Sequence, residues 1–306
     1  MSKFDVVGFG ALNLDKLFKV NRIAAAEEES FVLGHSETCG GSAANTIIGL
    51  ARLGCRVGFI GTVASDAEGK MLVEDLRKEG VDTDGTTIAK KGRSGIVMGF
   101  VDKKGERALY IDPGVNDTIK FNDIKTTYAS NTKFLHLTSF VGKESFQTQK
   151  RLLQRLPRQV KVSFDPGALY ARFGLGKLEP IIDKTFAMMP NAGELALLTG
   201  KTDYKTGARL LIEKGVKVLA VKLGEKGCYV TDEREEHFVE PFKVKVVDTT
   251  GAGDAFDAGF IYGLLSGKGL CQSGKMGNFV ASKCIMAMGA RTGLPTLENL
   301  RANGLA

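Results

Sequence analysis

The chain has 306 residues, 43% of them hydrophobic and 25% charged, and its 42 basic against 35 acidic side chains give a formal charge of +7. That composition excludes a disordered, fibrous or disulfide-stapled chain and leaves one large α/β domain or two small ones. The basic residues form no run of five, which argues against a nucleic-acid-binding arm, although the surplus suits a phosphate-bearing partner.

The five cysteines (Cys39, Cys55, Cys228, Cys271, Cys284) are odd in number and show no CxxC spacing. They argue against a disulfide framework and a zinc site and favour a reducing, cytoplasmic compartment. His35, His136 and His237 are far apart and read as packed or surface residues. The opening MSKFDVVGFGALNLD carries Asp5 in its apolar stretch, so neither a signal peptide nor a membrane span is expected.

In chain order, short apolar runs alternate with amphipathic patterns. Strands are expected at Asp5–Gly8, Val57–Thr62, Phe134–Leu137, Val160–Phe164, Phe186–Met189 and Val218–Lys222. Helices are expected near Ala43–Leu53, Gly69–Glu79, Glu144–Leu156, Ala192–Leu198 and Thr206–Lys214. The alternation predicts a mostly parallel sheet covered by helices on both faces, because crossover helices put one layer on each side. Leu14–Val20, Ser30–Glu37, Ile96–Val101 and Arg107–Ile111 break that rhythm. They predict a small antiparallel sheet, a lid of about residues 14–37 and 94–112, with Gly105 as the left-handed residue of a hairpin turn. Such a lid also serves as a surface for a homodimer. Further on, Gly227–Thr231 and Glu236–Val247 read as strands about the acidic turn 232–235, followed by helices Ala252–Leu265 and Gly274–Met288. No linker or repeat interrupts the chain, so one domain, 1–306, is expected.

The stretch DTTGAGDAF, Asp248 to Phe256, carries the chemistry. Gly251, Ala252 and Gly253 have almost no side chain and precede an apolar helix, so their N–H groups offer a pocket for an anion. Asp254 in the same turn would repel that anion unless it meets something beside it, such as a hydroxyl about to attack phosphorus. The arrangement predicts phosphoryl transfer, with Asp254 as base and the three amides holding the developing charge. The helix dipole is expected to lower the Asp254 pKa. A plain helix start with an acid in its first turn is the simpler alternative for Asp254 taken alone.

The sequence resembles the ribokinase-like carbohydrate kinases (the PfkB family) over nearly its whole length, through DTTGAGD and a second signature, Gly40-Gly41-Ser42-Ala43-Ala44-Asn45-Thr46. The resemblance implies a three-layer α/β/α fold with a small β-sheet lid and a kinase of sugar hydroxyls. It places the acceptor at Asn13, Asp15, Gly40, Gly41 and Asn45, and the nucleotide at Asn191, Lys222, Gly224, Gly227 and Asn278. It implies ATP or ADP as donor and Mg²⁺ organised through water by Glu194, in the motif Asn191-Ala192-Gly193-Glu194, which equally reads as a helix cap. A K⁺ ion near Asp248, Thr250 and Gly289 is implied as well.

Ser42 and Leu137-Thr138-Ser139 depart from true ribokinases at the acceptor site, so a nucleoside or a sugar phosphate stays open beside a free sugar. Arg93 and Arg172 are candidates for an acidic group on the acceptor. A non-catalytic sugar-binding regulator on the same fold would need neither Asp254 nor Glu194. Val6-Val7-Gly8-Phe9-Gly10 matches only part of a dinucleotide fingerprint, and no GxxxxGK[ST] occurs.

Overall fold

In a computed structural model, which describes residues 2–306, nine strands form one sheet in the order β13-β12-β11-β10-β9-β8-β1-β4-β5. In chain order these are β1 (Phe4–Phe9), β4 (Val57–Ala64), β5 (Asp82–Ala89), β8 (Thr132–Leu137) and β9 (Lys161–Phe164), then β10 (Thr185–Met188), β11 (Val218–Lys222), β12 (Cys228–Thr231) and β13 (Glu236–Val239). All pairings from β5 to β11 are parallel, and β12 and β13 extend the sheet antiparallel.

Side chains alternate between the two faces along each strand, and the core divides accordingly. Val6, Phe59 and Ala220 face one layer, where they meet Ile47 of α1 (Ser42–Arg52), Leu76 of α2 (Ala67–Lys78), Phe260 of α9 (Ala252–Leu265) and Phe279 of α10 (Leu270–Cys284). Val7, Ile60 and Leu219 face the other. There Leu153 of α4 (Lys143–Arg155), Ile181 of α6 (Gly174–Ile182), Leu195 of α7 (Ala192–Thr199) and Leu211 of α8 (Tyr204–Glu213) close the core. Short helices α3 (Thr126–Ser130), α5 (Gly167–Ala171) and α11 (Leu297–Ala302) complete the chain. The expected three-layer architecture is borne out. No helix among the described residues is long and apolar enough to cross a membrane.

The lid is a separate four-stranded sheet, β3-β2-β6-β7, of β2 (Asn13–Val20), β3 (Val32–Gly40), β6 (Gly95–Val101) and β7 (Arg107–Asp112). It is not wholly antiparallel as the sequence predicts: β2 and β6 run parallel. Between them lie β3, α1, β4, α2 and β5, a crossover long enough to bring the chain back in the same direction. The expected turn forms, with Gly105 at φ +83° and its N–H donating to the Asp102 carbonyl.

Four other expectations change. The strand from Glu236 stops at Val239, two residues before Pro241, which has no N–H for a ladder. The last long helix begins at Leu270 rather than Gly274 and ends at Cys284, because Gly274 lies inside it and lets it pack close to β12 and β13. The 165–172 segment, expected as a loop, contains α5. Strand β5 has no apolar run to announce it, since DTDGTTIA is a half-exposed edge strand.

Candidate active site

Parallel strands leave all their carboxyl ends on one side, and open α/β sheets bind ligands there. Thr138 follows β8, Asp165 follows β9, Asn191 follows β10, and Lys222 ends β11. The lid strands start from the same edge. Between them lies a cavity of about 430 Å³. Its wall includes Asn13, Asp15, Gly41 and Asn45, then Gly251 to Asp254. Most of the residues expected to meet the acceptor therefore come together.

Gly40 and Gly251 are required by close approach. A Cβ on Gly40 would stand 2.3 Å from Asp15 Oδ2, and one on Gly251 2.5 Å from the Ala290 Cβ. Gly251 also has φ +75° as the N-cap of α9. The Ala252 N–H, however, donates to the Thr249 carbonyl at 3.2 Å. It closes the turn that starts the helix, so the cradle differs from the three free amides expected. The amides of Gly251 and Gly253 have no hydrogen-bond partner among the described residues.

Asp254 lies in the first turn of α9 with its carboxylate at the cavity wall. Asn45 Nδ2 donates to its Oδ2 at 2.8 Å, and Thr46 Oγ1 donates to its carbonyl at 3.2 Å. Asn45 thus turns its amide to Asp254, whereas the sequence reading gave it to the acceptor. Enclosure pushes the Asp254 pKa up to about 7, against the pull of Asn45. This reverses the expected lowering by the helix dipole: loss of hydration outweighs a partial charge at a helix end. Enclosure likewise raises Asp15 to about 6, opposed by the charge of Arg291. Asn13 Oδ1 accepts from Asn116 Nδ2 at 2.9 Å.

Behind the glycine-lined turn sits a buried charge cluster. Lys222 Nζ lies 2.8 Å from Asp165 Oδ2 and 3.2 Å from Asp257 Oδ1. A Cβ placed on Gly253 would be 3.3 Å from the same Nζ, so the ammonium faces the turn. Burial alone would lower the Lys222 pKa, but Asp165, Asp257 and Glu194 around it raise it. Burial raises Asp257 well above the carboxylate range, while Lys222 overcomes burial to hold Asp165 ionised. Burial and the Asp165 charge raise Glu194.

Asn191 and Glu194 form a capping box at the start of α7, each side chain accepting at 2.8 Å from the other's backbone N–H. Gly224 and Gly227 bound the tight turn after β11. Asn278 Nδ2 donates to the carbonyls of Val239 and Glu240, each at 3.0 Å, and so anchors the segment leading to α9. Asp248 Oδ1 accepts from the Thr250 N–H and hydroxyl, and Oδ2 from the Gly289 N–H at 2.8 Å. That places Asp248, Thr250 and Gly289 in one cluster.

Several residues here escaped the sequence reading. Asn116 and Asp117 line the cavity opposite Asp254, and Asp117 Oδ1 is buried without a hydrogen-bond partner among the described residues. Asn116 holds Leu12 through both its amide ends. The one available signal was a polar pair shortly after a lid strand. Arg93 and Arg172, singled out for an acidic acceptor, do not line the cavity; Arg93 pairs instead with Asp112 at 2.7 Å.

Fold and site together define the ribokinase-like class. The crystal structure of a ribokinase from Thermotoga maritima matches with a TM-score of 0.87 at 27% identity, covering 98% of each chain. Residues 3–297 match the model of the pfkB family carbohydrate kinases, and the chain belongs to that family. It is a sugar kinase, an enzyme that transfers a phosphoryl group to a hydroxyl. It is 49% identical over 251 residues to an uncharacterized sugar kinase of Archaeoglobus fulgidus, covering 81% of this chain and 98% of the relative. It is 33% identical over 257 residues to an ATP-dependent ribose-1-phosphate kinase of Halopiger xanaduensis, covering 84% and 83%.

Proposed function

We propose that the enzyme transfers the terminal phosphoryl group of ATP to a hydroxyl of an uncharged acceptor, a free sugar or a nucleoside, with Asp254 as general base. The cavity wall carries this reading. It presents the carboxylates of Asp15, Asp117 and Asp254 and, among the described residues, no lysine, arginine or histidine. Carboxylates accept hydrogen bonds from hydroxyls. A phosphorylated acceptor would instead bring a charge of about −2 against them with no cation in the wall. That disfavours a sugar phosphate, even though one relative is a ribose-1-phosphate kinase.

In the reaction the acceptor hydroxyl donates to Asp254, which takes the proton as the oxygen bonds to the terminal phosphorus and the bond from that phosphorus to the bridging oxygen breaks, releasing ADP. The Gly251 and Gly253 amides face the transferred group, and the Lys222 ammonium, paired with Asp165, stands behind them. Asn13 and Asp15 orient the acceptor, since a near-attack geometry supplies much of the rate. The nucleotide lies along the Gly224–Gly227 turn, beside Asn191 and the segment anchored by Asn278.

Mg²⁺ would meet carboxylate oxygens at Asp165 and Glu194, beside the Lys222 ammonium that lies 2.8 Å from Asp165 Oδ2. Among the described residues no three His, Cys, Asp or Glu side chains converge as a metal cage, so the ion would keep waters and phosphate oxygens. When bound it would neutralise charge on the donor phosphates. Backbone carbonyls near Asp248, Thr250 and Gly289 would hold K⁺. One coupled-turnover screen tests all of this: pentoses, hexoses, their phosphates and nucleosides, with ATP and with ADP, with and without Mg²⁺ and K⁺. Turnover is expected on uncharged acceptors with ATP and Mg²⁺. Turnover confined to phosphorylated sugars would overturn the acceptor assignment.

We also propose that the lid pairs with a second copy. Phe31, Val32 and Leu33 leave the β3 edge of the lid apolar, and Tyr110 does the same at the β7 edge, with Phe31 73% exposed. Sedimentation over a range of concentrations is expected to give a dimer; a monomer throughout would remove this assignment.

A further inference from the structure

Arg291 lies outside the cavity wall, yet it is joined to Asp254 through a single side chain. It follows α10, in the loop that also carries Gly289. Its side chain is only 12% exposed and reaches in two directions. Nη1 pairs with Asp75 Oδ2 of α2. Nε donates to Asn45 Oδ1 of α1 at 2.7 Å, and Asn45 Nδ2 donates to Asp254 Oδ2 at 2.8 Å. Arg52 Nη1 holds the Arg291 carbonyl at 2.7 Å while its Nε and Nη2 grip Glu79, so the backbone behind the guanidinium is fixed as well.

We propose that Arg291 is a positioning residue for phosphoryl transfer: anchored on Asp75, it fixes the orientation of the Asn45 amide, which in turn holds one oxygen of Asp254 and leaves the other for the acceptor hydroxyl. This rests on the reading of Asp254 as the base.

The chemistry of the donors makes the chain directional. A guanidinium Nε–H can only donate, so the Asn45 carbonyl oxygen must face it. The Asn45 NH₂ is then the end that meets Asp254, and it can only donate to a carboxylate. Without the guanidinium the amide is free to turn over. Its oxygen would then confront the carboxylate oxygen, and the carboxylate would swing. Asn45 is 7% exposed, so little of its amide meets water in place of either contact. Lysine would not substitute fully, because one ammonium cannot grip Asp75 and Asn45 in a fixed plane.

A double-mutant cycle on turnover tests this, with Asn45→Ala, Arg291→Met and the pair compared with the unaltered enzyme. Arg291→Met is expected to lower kcat by about 10–10²-fold, the scale of a small misplacement of a reacting group. The KM for the nucleotide should stay within about twofold, since the altered contact is on the acceptor side. The double variant should be no slower than Asn45→Ala alone, because both substitutions break one chain of contacts. Losses that multiply in the double variant, or an Arg291→Met kcat equal to that of the unaltered enzyme, would overturn the proposal. Should Arg291→Met fail to fold, Asp75→Asn takes its place in the same cycle, with the same two outcomes. Asp254→Asn in the same assay separates this proposal from its premise. A normal rate there removes the base, whereas a normal Arg291→Met rate beside an inactive Asp254→Asn removes only the relay.

Discussion

Asp254→Asn is expected to fold and bind nucleotide normally and to lose about 10²–10⁴-fold in turnover, the scale of a general base. The amide has the shape of the carboxylate and can still accept from Asn45 Nδ2, which donates at 2.8 Å to Asp254 Oδ2. The substitution therefore removes basicity and little else. The pH profile provides a second readout. Only the ionised carboxylate accepts a proton, and enclosure raises its pKa to about 7. Turnover should therefore fall as pH falls through about 7, approaching tenfold per unit on the acid side. With an ordinary carboxylate pKa, near 3.8, the same fall would come about three units lower. A base poised near neutrality would be better matched to this task than one with an ordinary carboxylate pKa. Near-normal turnover in Asp254→Asn would end the assignment.

Lys222→Met should destabilise the protein by about 3–5 kcal/mol, as expected when one partner of a buried ion pair is removed. The Lys222 side chain is 12% exposed, and those of Asp165 and Asp257 are 10% and 1% exposed. Methionine matches the length of the lysine stem but leaves Asp165 ionised without a counter-charge. The pH dependence distinguishes this from a packing defect. Lys222 does most to hold the Asp165 pKa below its ordinary value; without it, burial pulls that pKa up against only the hydrogen bonds from Asp257 and the Gly167 N–H. The lone carboxylate then takes up a proton as pH falls, which relieves the unpaired charge. The deficit in the urea midpoint should therefore be largest near neutral pH and shrink toward acid pH. A pH-independent deficit, or none, would show that the buried cation does not neutralise this cluster.

The parts of the molecule legible in the sequence are those where local pattern and tertiary environment agree. Val218-Leu219-Ala220-Val221 reads as a strand because both its faces are buried. The start of α9 shows in DTTGAGDAF because a chain needs glycine to approach Ala290 so closely. Edge strand β5 is hidden because none of its residues is fully buried and no apolar run marks them. The relative direction of β2 and β6 is hidden because strand pattern carries no polarity.

At the site, legibility ends where a role depends on distant residues. Asn45 and Arg291 are separated by 246 positions, and nothing near either announces the other. The rise in the Asp254 pKa has the same origin: the local cue, a helix start, gives no sign of the walls that the remote segments build around it. Asn191 and Glu194 show the converse, since the sequence pattern of a capping box is present in full.

The lid strands share one alignment. Asn13 pairs with Gly40 on one side and Gly95 on the other, and Asp112 lies across from Ile96, so all four strands reach the cavity at the same end. Their opposite ends carry the connections 21–31 and 102–106, away from the acceptor. Lengthening, shortening or recharging those outer tips would act on segments that do not line the cavity. The cover can thus diverge among descendants of one ancestor while the floor beneath it is preserved.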